Sequence, residues 1–228
     1  MFSTIRHNVI FDPYIHDYIP IHIIGVGATG SRVFMSLAEL GLTNLHAYDF
    51  DKVESHNLAN QAYLFKHVGS RKVDALYSLV SQKFGSVPAE MSFNHVKVDD
   101  KTDLDGIVFI LTDTMESRRQ IAEAVVNSPC FRIFETRMAS THGNVYHFNP
   151  QNKSEYRAWK DTLISDDQGE VSPCGTPISV GPTASIIANL AVWEFMNHLI
   201  ADGCATQQLD VFFKPMMFST KEGLTCTT

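Results

Sequence analysis

The chain has 228 residues, 44% of them hydrophobic and 19% charged, enough for one sizeable α/β domain burying roughly 70–75% of the unfolded chain's surface, which excludes a stapled mini-protein. That composition also excludes wholesale disorder. With 18 Lys+Arg against 25 Asp+Glu the formal net charge is −7, so no nucleic acid is expected as a partner and any polyanionic ligand must meet a local positive site.

The N-terminus, Met1-Phe-Ser-Thr-Ile-Arg-His7, has no basic region followed by an apolar run, so no signal peptide is expected. Ile21-His-Ile-Ile24 is a short β-branched run that stops at Gly25-Val-Gly-Ala-Thr-Gly30. Val33, Phe34, Leu37 and Leu40 then recur at helical spacing until Gly41. Strand, glycine turn and helix are followed by a second strand, Leu45–Tyr48, closed by the acidic Asp49-Phe-Asp51. Together these make a βαβ unit and imply a parallel sheet. Val73, Leu76, Tyr77, Val80 and Phe84 mark another helix, Phe93–Val98 alternates like a strand, and Ile107–Leu111 is the continuous apolar run of a buried parallel strand.

After a helix over Glu116–Asn127, Phe131–Phe134 and Gly143–Phe148 are predicted strands, the latter antiparallel because no helix separates them. Residues 149–173 show no period and carry Asp161, Asp166, Asp167 and Glu170, which predicts a long, mobile surface crossover. A helix over about Thr183–Ile200 and one final strand-like stretch, Val211–Phe218, end the pattern. The longest uncharged stretch, Val171–Trp193, holds three prolines and two glycines and is too polar to span a bilayer, so no membrane contact is expected. Cys130, Cys174, Cys204 and Cys226 lie far apart with no C-x-x-C pair. That spacing points to reduced thiols in the cytoplasm and away from a cysteine zinc site.

Gly25, Gly27 and Gly30 fit G-x-G-x-x-G between a strand and a helix, where the backbone can approach a phosphate at a helix N-terminus. Asp49, 19 residues past the last glycine at a strand end, matches the carboxylate that binds ribose hydroxyls. Together they favour an adenine nucleotide. ATP and NAD both satisfy this pattern, and a bare tight turn with a loop-capping Asp49 is the structural alternative.

The string Asp49-Phe-Asp51-Lys-Val53-Glu-Ser-His-Asn57-Leu-Ala-Asn60-Gln61, then Lys72 opening a helix, then Thr112-Asp113 after a strand, resembles the ThiF/MoeB superfamily. That superfamily comprises the adenylyltransferases of thiamine and molybdopterin synthesis together with the ubiquitin-activating enzymes. The resemblance covers roughly residues 20–200 and rests on four separated blocks in order. It implies a Rossmann-like, mostly parallel sheet with helices on both faces and antiparallel strands toward the C-terminal part, as a single adenylation domain over residues 1–228. By position it implies that Gly25, Gly27 and Gly30 face ATP, that Asp49 holds the ribose, and that Asp51, Asn57 and Gln61 line the nucleotide site. Lys72 would neutralise phosphate charge and Asp113 would hold Mg²⁺. Helix capping is the structural alternative for Asp113.

The family's arginine after the Asn-Leu pair is Asn60 here, which removes a fixed positive charge from the phosphates. Arg71, beside Lys72, and Arg6, in a segment that in relatives reaches a partner's site, are the candidate substitutes. Cys174 stands where relatives carry the cysteine that accepts the activated acyl group or sulfur; a small buried hydrophobe is its alternative reading. Cys130, Cys204 and Cys226 are expected to be core or tail thiols, and of the ten histidines only His56 falls in the nucleotide-site loop.

The implied activity is ATP-dependent adenylylation of the C-terminal carboxylate of a small ubiquitin-like or sulfur-carrier protein or peptide, with transfer to Cys174 as a second step. The implied assembly is a homodimer joined partly through the apolar residues around Phe213 and Met217. Two other readings stay open: a noncatalytic nucleotide-binding subunit of the same family, and an NAD(P)-dependent oxidoreductase on the same kind of sheet.

Overall fold

The computed structural model describes residues 3–166, 178–200 and 205–221. Eight strands form one sheet: β1 (Ile21–Ile24), β2 (Leu45–Tyr48), β3 (Ser92–Asn94), β4 (Gly106–Ile110), β5 (Cys130–Met138), β6 (His142–Phe148), β7 (Gln208–Phe213) and β8 (Met216–Lys221). Their order is β3-β2-β1-β4-β5-β6-β7-β8. The first five run parallel and the last three pairings are antiparallel. The strand order reverses at β1, which has β2 on one side and β4 on the other. Open α/β sheets bind ligands in the crevice beyond the carboxyl ends of strands at such a point.

Alternation sorts the side chains onto two faces. Ile21 and Ile23 of β1 with Ile107 and Phe109 of β4 point to one core, shared with Val33, Phe34 and Leu37 of α2 (Gly30–Glu39), Val73, Leu76 and Val80 of α3 (Lys72–Phe84), and Ile187, Ala191 and Phe195 of α6 (Gly181–Leu199). Ile24, Val108 and Ile110 point the other way, to Ile121, Ala122 and Val125 of α4 (Met115–Val125) and to Trp159 of α5 (Lys153–Lys160). A short first helix, α1 (Pro13–His16), precedes the sheet. All five residues of β4 are buried, which is why the strand reads as an unbroken apolar run. Among the described residues, no helix is long and apolar enough to cross a membrane.

Three expectations are corrected. Residues 149–173 are not simply a crossover: Asn152 caps α5, its side chain accepting from the amides of Ser154 and Glu155. Tyr156 and Trp159, one turn apart, anchor that helix, with Trp159 stacked on Phe148 at 4.8 Å. Two large apolar side chains in eight residues are too few for a visible period, and residues 167–173 lie outside the described ones. The final stretch is a hairpin, β7 and β8, turning at Lys214-Pro215. The Phe93–Val98 strand shrinks to the three-residue edge strand β3.

Candidate functional site

The glycine turn is shaped by close approach. Gly25 has φ of +87° and its amide donates to the carbonyl of Tyr48 at 2.8 Å. A Cβ there would lie 2.8 Å from the Leu111 carbonyl oxygen, and a Cβ on Gly30 would lie 1.9 Å from the Gly25 carbonyl oxygen. A side chain at either position would therefore break the turn or lift it off β4. At Gly27 a Cβ would meet nothing within 4 Å, so this glycine faces open space at the mouth of the turn.

Asp49, at the end of β2, is buried and crosses to the turn. One oxygen accepts from the Val26 amide at 2.9 Å and the other from the Asp51 amide at 2.8 Å. Lys72 is the first residue of α3, and its buried ammonium lies 2.7 Å from Asp51 Oδ2 and 3.9 Å from Asp49 Oδ2. Tyr63 closes the underside of the turn, donating its hydroxyl to the Val26 carbonyl at 2.7 Å. Burial, with the Asp49 charge behind it, pushes that phenol well above its ordinary pKa, so it stays a donor.

Glycine turn, Asp49, Asp51 and Lys72 thus come together at the carboxyl ends of β1 and β2. Asn57 is buried in the next loop, but its side-chain oxygen accepts from the Glu54 amide at 2.9 Å and holds the 55–59 turn itself. Gln61 follows, its Oε1 buried with no hydrogen-bond partner among the described residues. His56 points outward beside Glu54, exposed.

Because Leu111 packs on Gly25, Asp113 stands two residues beyond that contact, at the end of β4. It is exposed. It does not cap α4: Thr114 does, accepting from the Ser117 amide at 3.1 Å. Asp166 reaches back to the same helix end, accepting from the amides of Met115 at 2.5 Å and Glu116 at 3.2 Å. Beneath Asp113, Arg118 Nε lies 2.9 Å from Glu135 Oε1, an ion pair without an aligned hydrogen bond. Arg137 and Trp159 donate to Glu135 Oε2 at 2.9 and 3.1 Å. Burial lowers the Arg118 pKa, while Glu135, Asp113 and Asp166 each act to raise it. Two guanidinium groups thus share the one fully buried carboxylate, Glu135. The charged part of this network is invisible in sequence, because Glu135 and Arg137 read as ordinary strand residues.

Of the two proposed substitutes for the missing arginine, Arg71 adjoins Lys72 and Arg6 lies farther off. Arg71 is exposed at the N-cap of α3. Arg6 is exposed in a turn docked on the far end of α2, where His7 Nε2 lies 3.0 Å from the Leu40 carbonyl oxygen. Over a ten-residue helix that places it about 15 Å from the glycine turn. Arg32, absent from the sequence reading, is in the first turn of α2, its Nη2 3.4 Å from the Asn60 carbonyl oxygen. Cys174, Cys204 and Cys226 lie outside the described residues. Cys130 is a buried core thiol, and burial pushes its pKa up to about 12, which leaves it inert as a nucleophile. Among the described residues, no group of three His, Cys, Asp or Glu side chains is disposed to hold a metal ion. That is compatible with a cation held by one carboxylate and ligand phosphates.

Among solved structures, E. coli MccB has a TM-score of 0.72 and 14% identity, with 92% of this chain and 64% of that chain covered. PaaA has a TM-score of 0.70 and 15% identity, covering 96% of this chain and 80% of its own. These likenesses establish the fold. MccB has been solved with ATP and with AMPCPP and MccA. In sequence, the chain is 28% identical over 132 residues to the NEDD8-activating enzyme E1 catalytic subunit of Arabidopsis thaliana, covering 51% of this chain and 29% of that one. It is 23% identical over 221 residues to ubiquitin-like modifier-activating enzyme 5 of Drosophila persimilis, covering 86% of this chain and 57% of that protein. The chain thus spans less than two thirds of the length of either relative. The ThiF family model matches residues 17–222, and with that match over nearly its whole length the chain belongs to the ThiF family.

Proposed function

We propose that this protein, acting as one adenylation domain over residues 1–228, activates the C-terminal carboxylate of a small ubiquitin-like or sulfur-carrier protein or peptide with ATP. The observation that carries the reading is the convergence of the glycine turn, Asp49 and Lys72 with the exposed carboxylate of Asp113 at the ends of β1, β2 and β4. Names among the relatives, activating enzymes for NEDD8 and for a ubiquitin-like modifier, support the same reading.

In this reading the turn amides and Gly27 receive phosphate, Asp49 accepts from ribose hydroxyls, and Asp51, Asn57 and Gln61 complete the nucleotide wall. Lys72 leaves its pairing with Asp51 to meet phosphate oxygens. Asp113, exposed and without an ion pair among the described residues, fits a hard cation, and Mg²⁺ bound there would offset charge on the phosphate oxygens. The chain's contribution to the reaction is then positioning and charge stabilisation. Cys174 is proposed as acceptor of the acyl group from the adenylate, and the protein as cytoplasmic.

Calorimetry on the purified chain tests the nucleotide: MgATP is expected to bind more tightly than NAD, and tighter NAD binding would sink adenylylation in favour of an oxidoreductase. The noncatalytic-subunit reading is favoured by Asn60 and by the absence of C-x-x-C pairs, and opposed by the presence of Lys72 and Asp113. It predicts ATP binding without pyrophosphate exchange on any carrier protein.

A homodimer is also proposed, because Met216, Met217 and Phe218 of the edge strand β8 and Phe212 of β7 expose apolar surface. Phe213, by contrast, packs against the core. Light scattering is expected to give twice the 25.5 kDa of one chain; a monomer at micromolar concentration would contradict this.

A further inference from the structure

We propose that Arg32 supplies the positive charge that holds the β- and γ-phosphates of ATP in this chain, in place of an arginine at position 60. The inference rests on the adenylylation reading above.

The half-buried or buried guanidinium groups of Arg118, Arg137, Arg119 and Arg132 each have a carboxylate partner: Glu135 for the first two, Glu116 and Glu155 for the others. Arg32 has none among the described residues. Its Nη2 makes a single long bond to the Asn60 carbonyl oxygen at 3.4 Å, and its Nε is buried with no acceptor. A partly desolvated cation without a counter-ion is costly, and an anion in reach offsets that cost.

The surroundings fix where that guanidinium lies. Ser31 Oγ accepts from the Ala62 amide at 3.2 Å and Tyr63 bonds Val26, which fastens residues 60–63 against the glycine turn. The guanidinium therefore sits between the turn and that segment. In that segment and at Ser179, which Asn60 Nδ2 reaches through the Ser179 carbonyl oxygen at 3.5 Å, Asn60 Oδ1, Gln61 Oε1 and Ser179 Oγ are buried without partners among the described residues; the two amide oxygens only accept, and the Ser179 hydroxyl alone of the three can donate to an anion. Arg32 contacts the backbone of the residue whose side chain would otherwise carry the charge, so the two positions are alternative origins of one cation. A guanidinium presents paired donors suited to phosphate oxygens.

In the transfer, a carboxylate oxygen of the acceptor attacks the α-phosphorus of ATP. The bond from that phosphorus to the oxygen bridging to the β-phosphate breaks, and pyrophosphate leaves with the electron pair. Arg32 would bind the departing oxygens, so it should hold ATP and not AMP.

The test is calorimetry of MgATP and of AMP with the intact chain, comparing wild type, Arg32→Ala, Arg32→Lys and the double variant Arg32→Ala with Asn60→Arg, each checked for folding by its melting temperature. Arg32→Ala is expected to weaken MgATP on the order of 10–100-fold while AMP changes by less than about twofold, the loss of charge-assisted hydrogen bonds to phosphate. Arg32→Lys should regain part of that loss, and Asn60→Arg should regain much of it in the Arg32→Ala background. Wild type that binds ATP while Arg32→Ala keeps the wild-type ratio of ATP to AMP affinity overturns this inference alone. Equal weakening of both nucleotides with a lowered melting temperature would make Arg32 structural and also overturn it. Wild type that binds no ATP overturns the adenylylation reading together with it.

Discussion

Asp113→Asn is expected to cut ATP–pyrophosphate exchange by a factor on the order of 10²–10³, the usual size of losing one electrostatic contributor in a preorganised site. The fold should barely notice. Asp113 is exposed, and the N-cap of α4 is Thr114, so the isosteric change removes a charge and no structural bond. An exposed substitution of this kind stays within about 0.5 kcal/mol, or roughly 1–2 °C in melting temperature for a chain of this size. Exchange would be measured with a panel of ubiquitin-like and sulfur-carrier proteins, and the magnesium-dependent part of ATP binding by calorimetry. Asparagine should lose that magnesium-dependent part. Exchange and magnesium dependence both at wild-type level would remove Asp113 from the site.

Glu135→Ala should produce the largest loss of stability. Glu135 has no exposed surface and faces Arg118, Arg137 and the Trp159 indole at 2.9–3.1 Å. Removing it leaves two buried guanidinium groups without their anion. Breaking a buried charge cluster in this way costs about 3–5 kcal/mol, which at roughly 2–4 °C per kcal/mol lowers the melting temperature by about 6–20 °C. The arginines keep some bonds, Arg118 Nη2 to the Thr136 carbonyl at 3.2 Å and Arg137 Nη1 to the Thr162 carbonyl at 2.8 Å. These satisfy donors but do not balance charge. The surface pair Glu116 with Arg119 provides the control: Glu116→Ala should leave the melting temperature nearly unchanged, since exposed pairs are screened by water. If thermal melts show the two alanine variants equally stable, the buried cluster is not what holds β5 to α4 and α5.

The parts of the site made of neighbours in sequence were legible in it. Strand, glycine turn and helix follow one another within residues 21–40, and the acid that turns back to the Val26 amide follows at the end of the next strand. Lys72 opens a helix whose apolar spacing is plain, and Asp113 follows a strand that is apolar on both sides. Local patterns of this kind report backbone conformation directly, because a turn, a 3.6-residue stripe or a buried strand each needs particular residues at short spacing. Helix α5 was not legible: only Tyr156 and Trp159 anchor it, among charged neighbours. Nor was the hairpin of β7 and β8, since two apolar strands two residues apart read as one.

By itself, then, the sequence determined the alternation of strands and helices from β1 to β6, the glycine turn, and the family to which the turn, Asp49, Asn57, Lys72 and Asp113 belong by their spacing. Only the tertiary structure decided which charges meet. Arg32 reaches the backbone of Asn60, 28 positions away, Trp159 reaches Glu135 across 24, and Asp166 reaches the first amides of α4 across about 50. No sequence period encodes such meetings. A charged side chain is identical in composition whether it faces water or a buried partner, and only the packing of the sheet against its two helical layers fixes its solvation and its counter-ion.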